Sequence, residues 1–255
     1  MTPTRFRIAE PPDTTPEQRV GARLVVDALA DTITENIQAH PRSLQRRIGP
    51  SEIGMPCTRR LIHKLAGDQE PDRGPAWKPT VGTACHAQME EWFGARPDEF
   101  QVEQRVTVGR IGSTDITGST DLFIPAEGVV VDWKFVGPTR LRHYRSAGPG
   151  DQYRTQAHLY GKGWTAAGYQ VSTVMIVFIP RDGELTDSYA WWEPFDPMVG
   201  ILALIRANQL HDRIQAIGRD ATLAEHDPCQ DRWCPWCAPA NRAQKTTADT
   251  MFAAA

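Results

Sequence analysis

The 255-residue chain has no apolar run approaching the roughly 20 residues that span a bilayer, which excludes a membrane-crossing helix. The layout of a secretory signal, basic and then apolar, is missing at the N-terminus, so a soluble, cytoplasmic protein is expected. There is no surplus of positive charge: 28 Lys and Arg stand against 31 Asp and Glu, a net charge of -3. No global field therefore draws the chain to a polyanion, and any such contact must come from local clusters. A glycine-rich loop ending in Gly-Lys-Ser/Thr is absent, which excludes ATP-driven movement by this chain alone. Cysteine is scarce and odd in number, five in all, and a reducing compartment argues against a disulfide framework. Metal binding is the better expectation for these thiols.

What is present is a mixed α and β pattern without internal repeats. Residues 1–16, with Pro3, Pro11, Pro12 and Pro16, read as a flexible arm. Residues 17–80 form a helical segment. Val20, Leu24, Val25, Leu29 and Ile33 recur at helical spacing on a surface helix that stops before Pro41, and a second helix runs from near Pro56 to Gly67. Residues 81–220 form the central part. A helix from Val81 to Phe93 precedes strands at 100–108, 115–124 and 128–135, rich in Val, Ile and Thr and separated by Gly112 and Gly128. A helix at 151–167, strands at 171–179 and 188–192, and a helix at 197–217 follow. Residues 221–240 hold three cysteines, and 241–255 form a frayed tail.

The run Val129, Val130, Val131, Asp132, Trp133, Lys134 ends a buried strand with an acid and an amine two residues apart, hence on one face. Asp121 lies on the preceding strand, and antiparallel pairing across the turn at Glu127 and Gly128 brings the acids together. Two carboxylates on a half-buried face repel unless a cation compensates. Magnesium or manganese suits such hard oxygen donors and keeps open positions for phosphate. Spacing alone also reads as a buried Asp–Lys ion pair with Asp121 as a turn residue.

Two helices supply further candidates. His86 and Glu90 are four apart, so His86 is placed to bind the ion and Glu90 to orient His86 or a metal-bound water. Gln156 and Tyr160 repeat that spacing, as polar groups able to hold phosphate or stack a base, or as part of a helix packed on the sheet. Arginines gather at Arg46 and Arg47, at Arg59 and Arg60, and at Arg140, Arg142 and Arg145. Of these, Arg59, Arg60, Arg142 and Arg145 are the candidates for contacting nucleic acid; a solvated basic face has the same composition.

Cys229, Cys234 and Cys237 form Cys-x4-Cys-x2-Cys, a strong metal-site spacing that lacks one ligand of four. Two completions stand: His226, nearby, for a small zinc site, or Cys57, which ties the two ends of the chain together. Cys85, beside His86 on the helix, reads as core.

In order, Gly-x-x-x-His-x-x-x-Glu (Gly82, His86, Glu90), Gly-x-x-Asp (Gly118, Asp121), Asp-x-Lys (Asp132, Lys134) and Gln-x-x-x-Tyr (Gln156, Tyr160) resemble the RecB-like branch of the PD-(D/E)xK nuclease superfamily. The likeness spans about Ser51 to Tyr160 and returns at the late cysteines. It implies an α/β fold in which a mixed central sheet, the restriction-endonuclease-like core, is flanked by helices. It also implies that Mn2+ or Mg2+ binds His86, Asp121, Asp132 and the carbonyl of Trp133, with Lys134 catalytic and Gln156 and Tyr160 facing DNA. The segment Ser51 to Arg60 resembles that of iron–sulfur nucleases of this branch, including the CRISPR-associated RecB-like exonucleases and the AddB nuclease domain. There, one early and three late cysteines hold a [4Fe-4S] cluster, which here implies Cys57, Cys229, Cys234 and Cys237, with structural zinc as the alternative. The activity implied is DNA exonuclease action at ends or on single strands, for recombination or repair in a bacterial or phage-infected cell. A recombination or helicase partner and an oligomer are compatible with it. Other functions remain open: a DNA-binding recombination adaptor without turnover, or a restriction-type endonuclease.

Overall fold

The structure is a computed structural model that describes residues 6–8, 11–40, 47–71, 75–231 and 233–238. Residues 1–5, Arg46 of the first basic cluster and the expected tail at 241–255 lie outside the described residues. The contacts divide the chain into two units, residues 1–45 with 71–84, and residues 46–70 with 85–255.

In the first unit, α1 spans Pro16–Ala39. Thr15 caps it: its hydroxyl accepts from Gln18 N at 3.3 Å, and Gln18 Oε1 accepts from Thr15 N at 2.9 Å, with Pro16 in the first turn. Ala30 and Ile37 are buried on α1, whereas Val20, Leu24, Val25, Leu29 and Ile33 are exposed.

The second unit is built on a mixed sheet of five strands in the order β1-β2-β3-β4-β5. Strands β1 (Gln101–Ile111), β2 (Thr114–Ile124) and β3 (Val129–Val136) form the expected antiparallel meander. Gly112 takes φ +54° in its first turn, a conformation that favours glycine. β4 (Thr173–Pro180) runs parallel to β3, and β5 (Tyr189–Pro194) closes the sheet antiparallel to β4. A parallel neighbour requires a crossover, and α5 (Pro138–Ala147) and α6 (Gly150–Ala166) provide it.

Alternation along the strands separates two buried faces. Phe123, Val130, Val174, Ile176 and Phe178 meet Ala157, Leu159, Tyr160 and Trp164 of α6 on one side. Leu122, Val131 and Trp133 meet Met89 and Phe93, from the later part of α4 (Trp77–Gly94), on the other. The expected α/β architecture is therefore present: a mixed central sheet flanked by helices, consistent with a restriction-endonuclease-like core.

Two one-turn or two-turn helices, α2 (Pro50–Ile53) and α3 (Thr58–Leu65), precede α4. Gly54 lets α2 lie on α6, since a Cβ there would stand 2.4 Å from Thr155. α7 spans Pro197–Ile217 as the sequence predicts; Asp196 caps it by accepting from Met198 N at 2.8 Å, and Gly218 stops it at φ +85°. Three differences from expectation have local causes. α4 begins at Trp77 rather than Val81, because Pro79 falls in the first turn, where no intrahelical donor is lost. α5 occupies a stretch for which no element was expected: Pro138 at its start is a helix signal, but Thr-Arg-Leu-Arg-His-Tyr-Arg carries too few apolar residues for a visible stripe. α8 (Arg219–Ala224) is too short for periodicity to show.

Candidate active site

The β2–β3 ladder ends at Leu122 paired with Val131. One step further the strands part, and Asp121 and Asp132 sit at this fork. Asp132, 2% exposed, lies on the α6 side of β3. Its Oδ1 accepts from Gln156 Nε2 at 2.8 Å, and its Oδ2 forms an ion pair with Lys134 Nζ. The ammonium of Lys134 also lies 4.9 Å above the Tyr153 ring, so an aromatic face helps hold it. Asp121 Oδ2 accepts from Trp133 N at 2.7 Å, which ties the two strands together where their ladder has stopped. Asp121 Oδ1 faces His86 Nδ1 at 3.3 Å. His86 is steadied in turn by an edge contact with Phe135, ring centroids 5.4 Å apart.

A further carboxylate belongs to this fork. Glu103 of β1 offers one ligand atom within 4.8 Å of ligand atoms of His86 and Asp121. Val102 pairs with Leu122 and Gln104 with Thr120, so Glu103 stands opposite Asp121 across the hairpin. It holds φ +50°, the sole positive φ outside glycine among the described residues, at a cost of about 1–3 kcal/mol. Sequence reasoning missed it for a structural reason. Counted back from the Gly112 turn, the register places Glu103 opposite Leu122; a bulge between Thr107 and Gly109 shifts the pairing by one and brings it to Asp121. Glu90, by contrast, is exposed on α4 and is not among the groups gathered here.

Burial raises the Asp132 carboxyl to about 6; the Lys134 charge opposes this and the Asp121 charge adds to it. Burial works against the Lys134 charge, but Asp132 and Asp121 outweigh it and raise its pKa. Burial likewise lowers His86, and the hydrogen bond and charge of Asp121 overcome that and raise it. For Asp132 the sign is clear: the folded value exceeds the ordinary 3.8, so the native state binds the extra proton and loses stability as pH rises from about 4 to about 6. In chelator, the unfolding free energy of the wild type relative to Asp132→Asn should fall across that window. Urea titrations at four pH values check this, and a constant difference contradicts it.

Gln156 and Tyr160 are both buried, 6% exposed each. Gln156 thus holds the Asp132 carboxylate, while burial first and then the charges of Asp132 and Asp121 raise the Tyr160 phenol and keep its proton in place. The arginines divide. Arg59 Nη1 donates to the carbonyls of Leu223 and His226 at 2.6 and 2.9 Å, and Arg60 pairs with Glu70 at 2.7 Å. Arg145 bonds to the Asp187 carbonyl, and Arg142 is exposed on α5.

The cysteines resolve the choice of a fourth partner. Cys57 Sγ lies 3.7 Å from Cys237 Sγ and 3.8 Å from Cys234 Sγ, and ligand atoms of Cys57, Cys229, Cys234 and Cys237 all lie within 4.8 Å of one another. His226 is not in this group; its carbonyl serves Arg59 instead. Cys57 also caps α3, its sulfur accepting from Arg60 N at 3.4 Å. Beside the group, His63 stacks on Trp236 with centroids 3.7 Å apart and binds Asp68 at 2.7 Å. Burial raises the Cys57 thiol and takes that of Cys229 to about 11, so a cation is needed for four thiolates to coexist. The donor set therefore fits an all-thiolate metal centre. Cys85 lies outside it.

Comparison with known proteins gives limited likenesses. No protein-family model matches the chain, and no curated protein matches it. Among solved structures it is similar to the protein SSO0001, at 15% identity and TM-score 0.47, over 84% of this chain and 93% of that one. It is similar to an alkaline exonuclease from Laribacter hongkongensis, at 11% identity and TM-score 0.47, over 71% of this chain and 95% of that one. A phage related exonuclease from Haemophilus somnus 129PT gives 13% identity and TM-score 0.43, over 73% and 99%. These values are too low to carry an activity from those proteins to this one.

Proposed function

We propose that the protein is a Mg2+- or Mn2+-dependent deoxyribonuclease of the PD-(D/E)xK type, acting as an exonuclease on DNA ends or single strands. The observation that carries this reading is the meeting of Asp121, Asp132, Lys134 and His86 at the β2–β3 fork. His86, Asp121, Asp132 and the carbonyl of Trp133 would hold the ion. A divalent ion there supplies a polarised phosphodiester and an acidified water. Lys134 keeps its proton between two carboxylates and so presents a fixed positive charge to the phosphate in the transition state. Gln156 positions Asp132 from behind with Tyr160 bonded to it in turn, and Arg142 on α5 is exposed for phosphate contact, with Arg145, Arg59 and Arg60 as the further basic groups. Among the described residues no helix is long and apolar enough to cross a membrane.

The four cysteines are proposed to hold a [4Fe-4S] cluster that clamps the early and late segments. A specific observation favours a second reading, zinc: a tetrahedral ion with metal–sulfur bonds of about 2.3 Å sets sulfurs about 3.8 Å apart. The two spacings from Cys57 have that value. A cluster places each thiolate on its own iron and requires the sulfurs to spread. Anaerobic purification with iron and zinc analysis decides: a brown protein with iron supports the cluster, a colourless one with a single zinc the alternative.

The activity is tested with end-labelled linear single- and double-stranded DNA and closed circular DNA, each with Mn2+ or Mg2+. Release of nucleotides from ends supports the proposal. Cleavage of closed circles shifts it to an endonuclease, and metal-independent binding without turnover to a recombination adaptor.

A further inference from the structure

The four sequence motifs assign no part to Glu103, yet the fold spends unusual geometry on its position. We infer that Glu103 is a direct ligand of the divalent ion, completing with His86 and Asp121 a face of one nitrogen and two carboxylates; this rests on the nuclease reading above. Three elements converge to make that face: His86 comes from α4, Glu103 from β1 and Asp121 from β2. Donors on one such ion lie about 2.1 Å from it, hence up to roughly 4 Å from each other, and the three ligand atoms already lie within 4.8 Å.

Two features argue against an ordinary surface acid. Like charges directly opposite on an antiparallel pair repel, and Glu103 faces Asp121. The bulge between Thr107 and Gly109 produces this opposition rather than avoiding it, and Glu103 keeps a strained positive φ at the same point. A cation between the carboxylates turns the repulsion into binding. A face containing imidazole also makes a chemical selection: nitrogen donors favour manganese over magnesium, so Mn2+ should bind the tighter of the two.

Binding of Mn2+ without DNA, followed by loss of the free-ion EPR signal, separates this role from catalysis. Glu103→Gln should weaken Mn2+ binding by about 10- to 100-fold, the range seen when the groups supporting a metal site are removed. Its melting temperature in chelator should equal or exceed that of the wild type, because a neutral amide faces Asp121 more favourably. The rise in melting temperature on adding Mn2+ should shrink, and DNA cleavage should recover towards wild type at raised Mn2+. Glu127→Gln, in the exposed β2–β3 turn, should bind Mn2+ as the wild type does. If Glu103→Gln binds Mn2+ within threefold of wild type while the wild type binds and cleaves, this assignment alone falls. A loss of affinity matched by a lower melting temperature in chelator also overturns it, in favour of a structural role. If the wild type takes up no Mn2+, the nuclease reading fails as a whole.

Discussion

Replacing Asp132 by asparagine is expected to lower metal-dependent DNA hydrolysis by ~10³-fold or more, the several kcal/mol that a metal-held transition state supplies. The residue combines three properties found at no other described position: it is almost fully buried, it lies one step beyond the end of the β2–β3 ladder, and it faces both Lys134 and Gln156. Asparagine keeps the size and an acceptor for Gln156 but removes the charge that balances Lys134 and binds the ion. Truncation to alanine would instead leave a buried ammonium and amide unpaired, which mixes folding with chemistry. Single-turnover cleavage of end-labelled single-stranded DNA at saturating enzyme measures the chemical step. Near-normal melting in chelator would show that the loss is chemical, whereas activity within threefold of wild type would sink the assignment. Lys134→Ala should cost about 10²–10³-fold by removing the fixed charge.

Changing Cys57 to serine is expected to lower the melting temperature by about 10–20 °C. Cys57 meets Cys237 across 180 positions, so a metal held by the four thiolates, as proposed, would act on the unfolded chain as a long-loop cross-link does. On the loop-entropy estimate such a link is worth roughly 5 kcal/mol, and in a domain of this size each kcal/mol moves the midpoint by about 2–4 °C. Part of the clamp survives without metal, since Arg59 still bonds to the carbonyls of Leu223 and His226. Cys85→Ser, outside the group, should leave the midpoint unchanged. Calorimetry on metal-loaded protein checks both, and equal midpoints for Cys57→Ser and wild type would show that no metal link operates.

Legibility in the sequence followed the physics of each element. The meander, β4 and α7 showed through because strong periodicity or a caps-and-stop pattern marked them; Asp196 and Gly218 bracket α7 to the residue. α5 did not, because a helix covered in Arg, His and Thr shows no apolar stripe, although Leu141 and Tyr144 are its buried contacts. At the fork, strand alternation put Asp132 and Lys134 on one face and hairpin pairing brought Asp121 near them, but spacing alone also allowed a buried ion pair, and the ordered motifs were needed to read a site there. His86 required the order of motifs, because no local rule tells a helical histidine which strand it will meet. Glu103 was hidden by a one-residue bulge, which no alternation count contains. Burial was equally hidden: Gln156 and Tyr160 suggested contact with DNA, and the structure places Gln156 behind Asp132 as its hydrogen-bond donor. Arg59 looked like a phosphate ligand and proves to hold backbone carbonyls of the cysteine segment.

The separation of Cys57 from its partners also sets a schedule for biosynthesis. Cys57 leaves the ribosome as a lone thiol, and the chain needs roughly 10 to 40 s to add the next 180 residues at ordinary synthesis rates. Once residue 136 has been made, the β2–β3 fork can form while the centre cannot, since Cys229, Cys234 and Cys237 arrive later. On the metal-centre reading proposed above, loading waits until Cys237 has been made, and a cell short of that metal accumulates chains whose sheet is assembled but whose early and late segments lack the thiolate link.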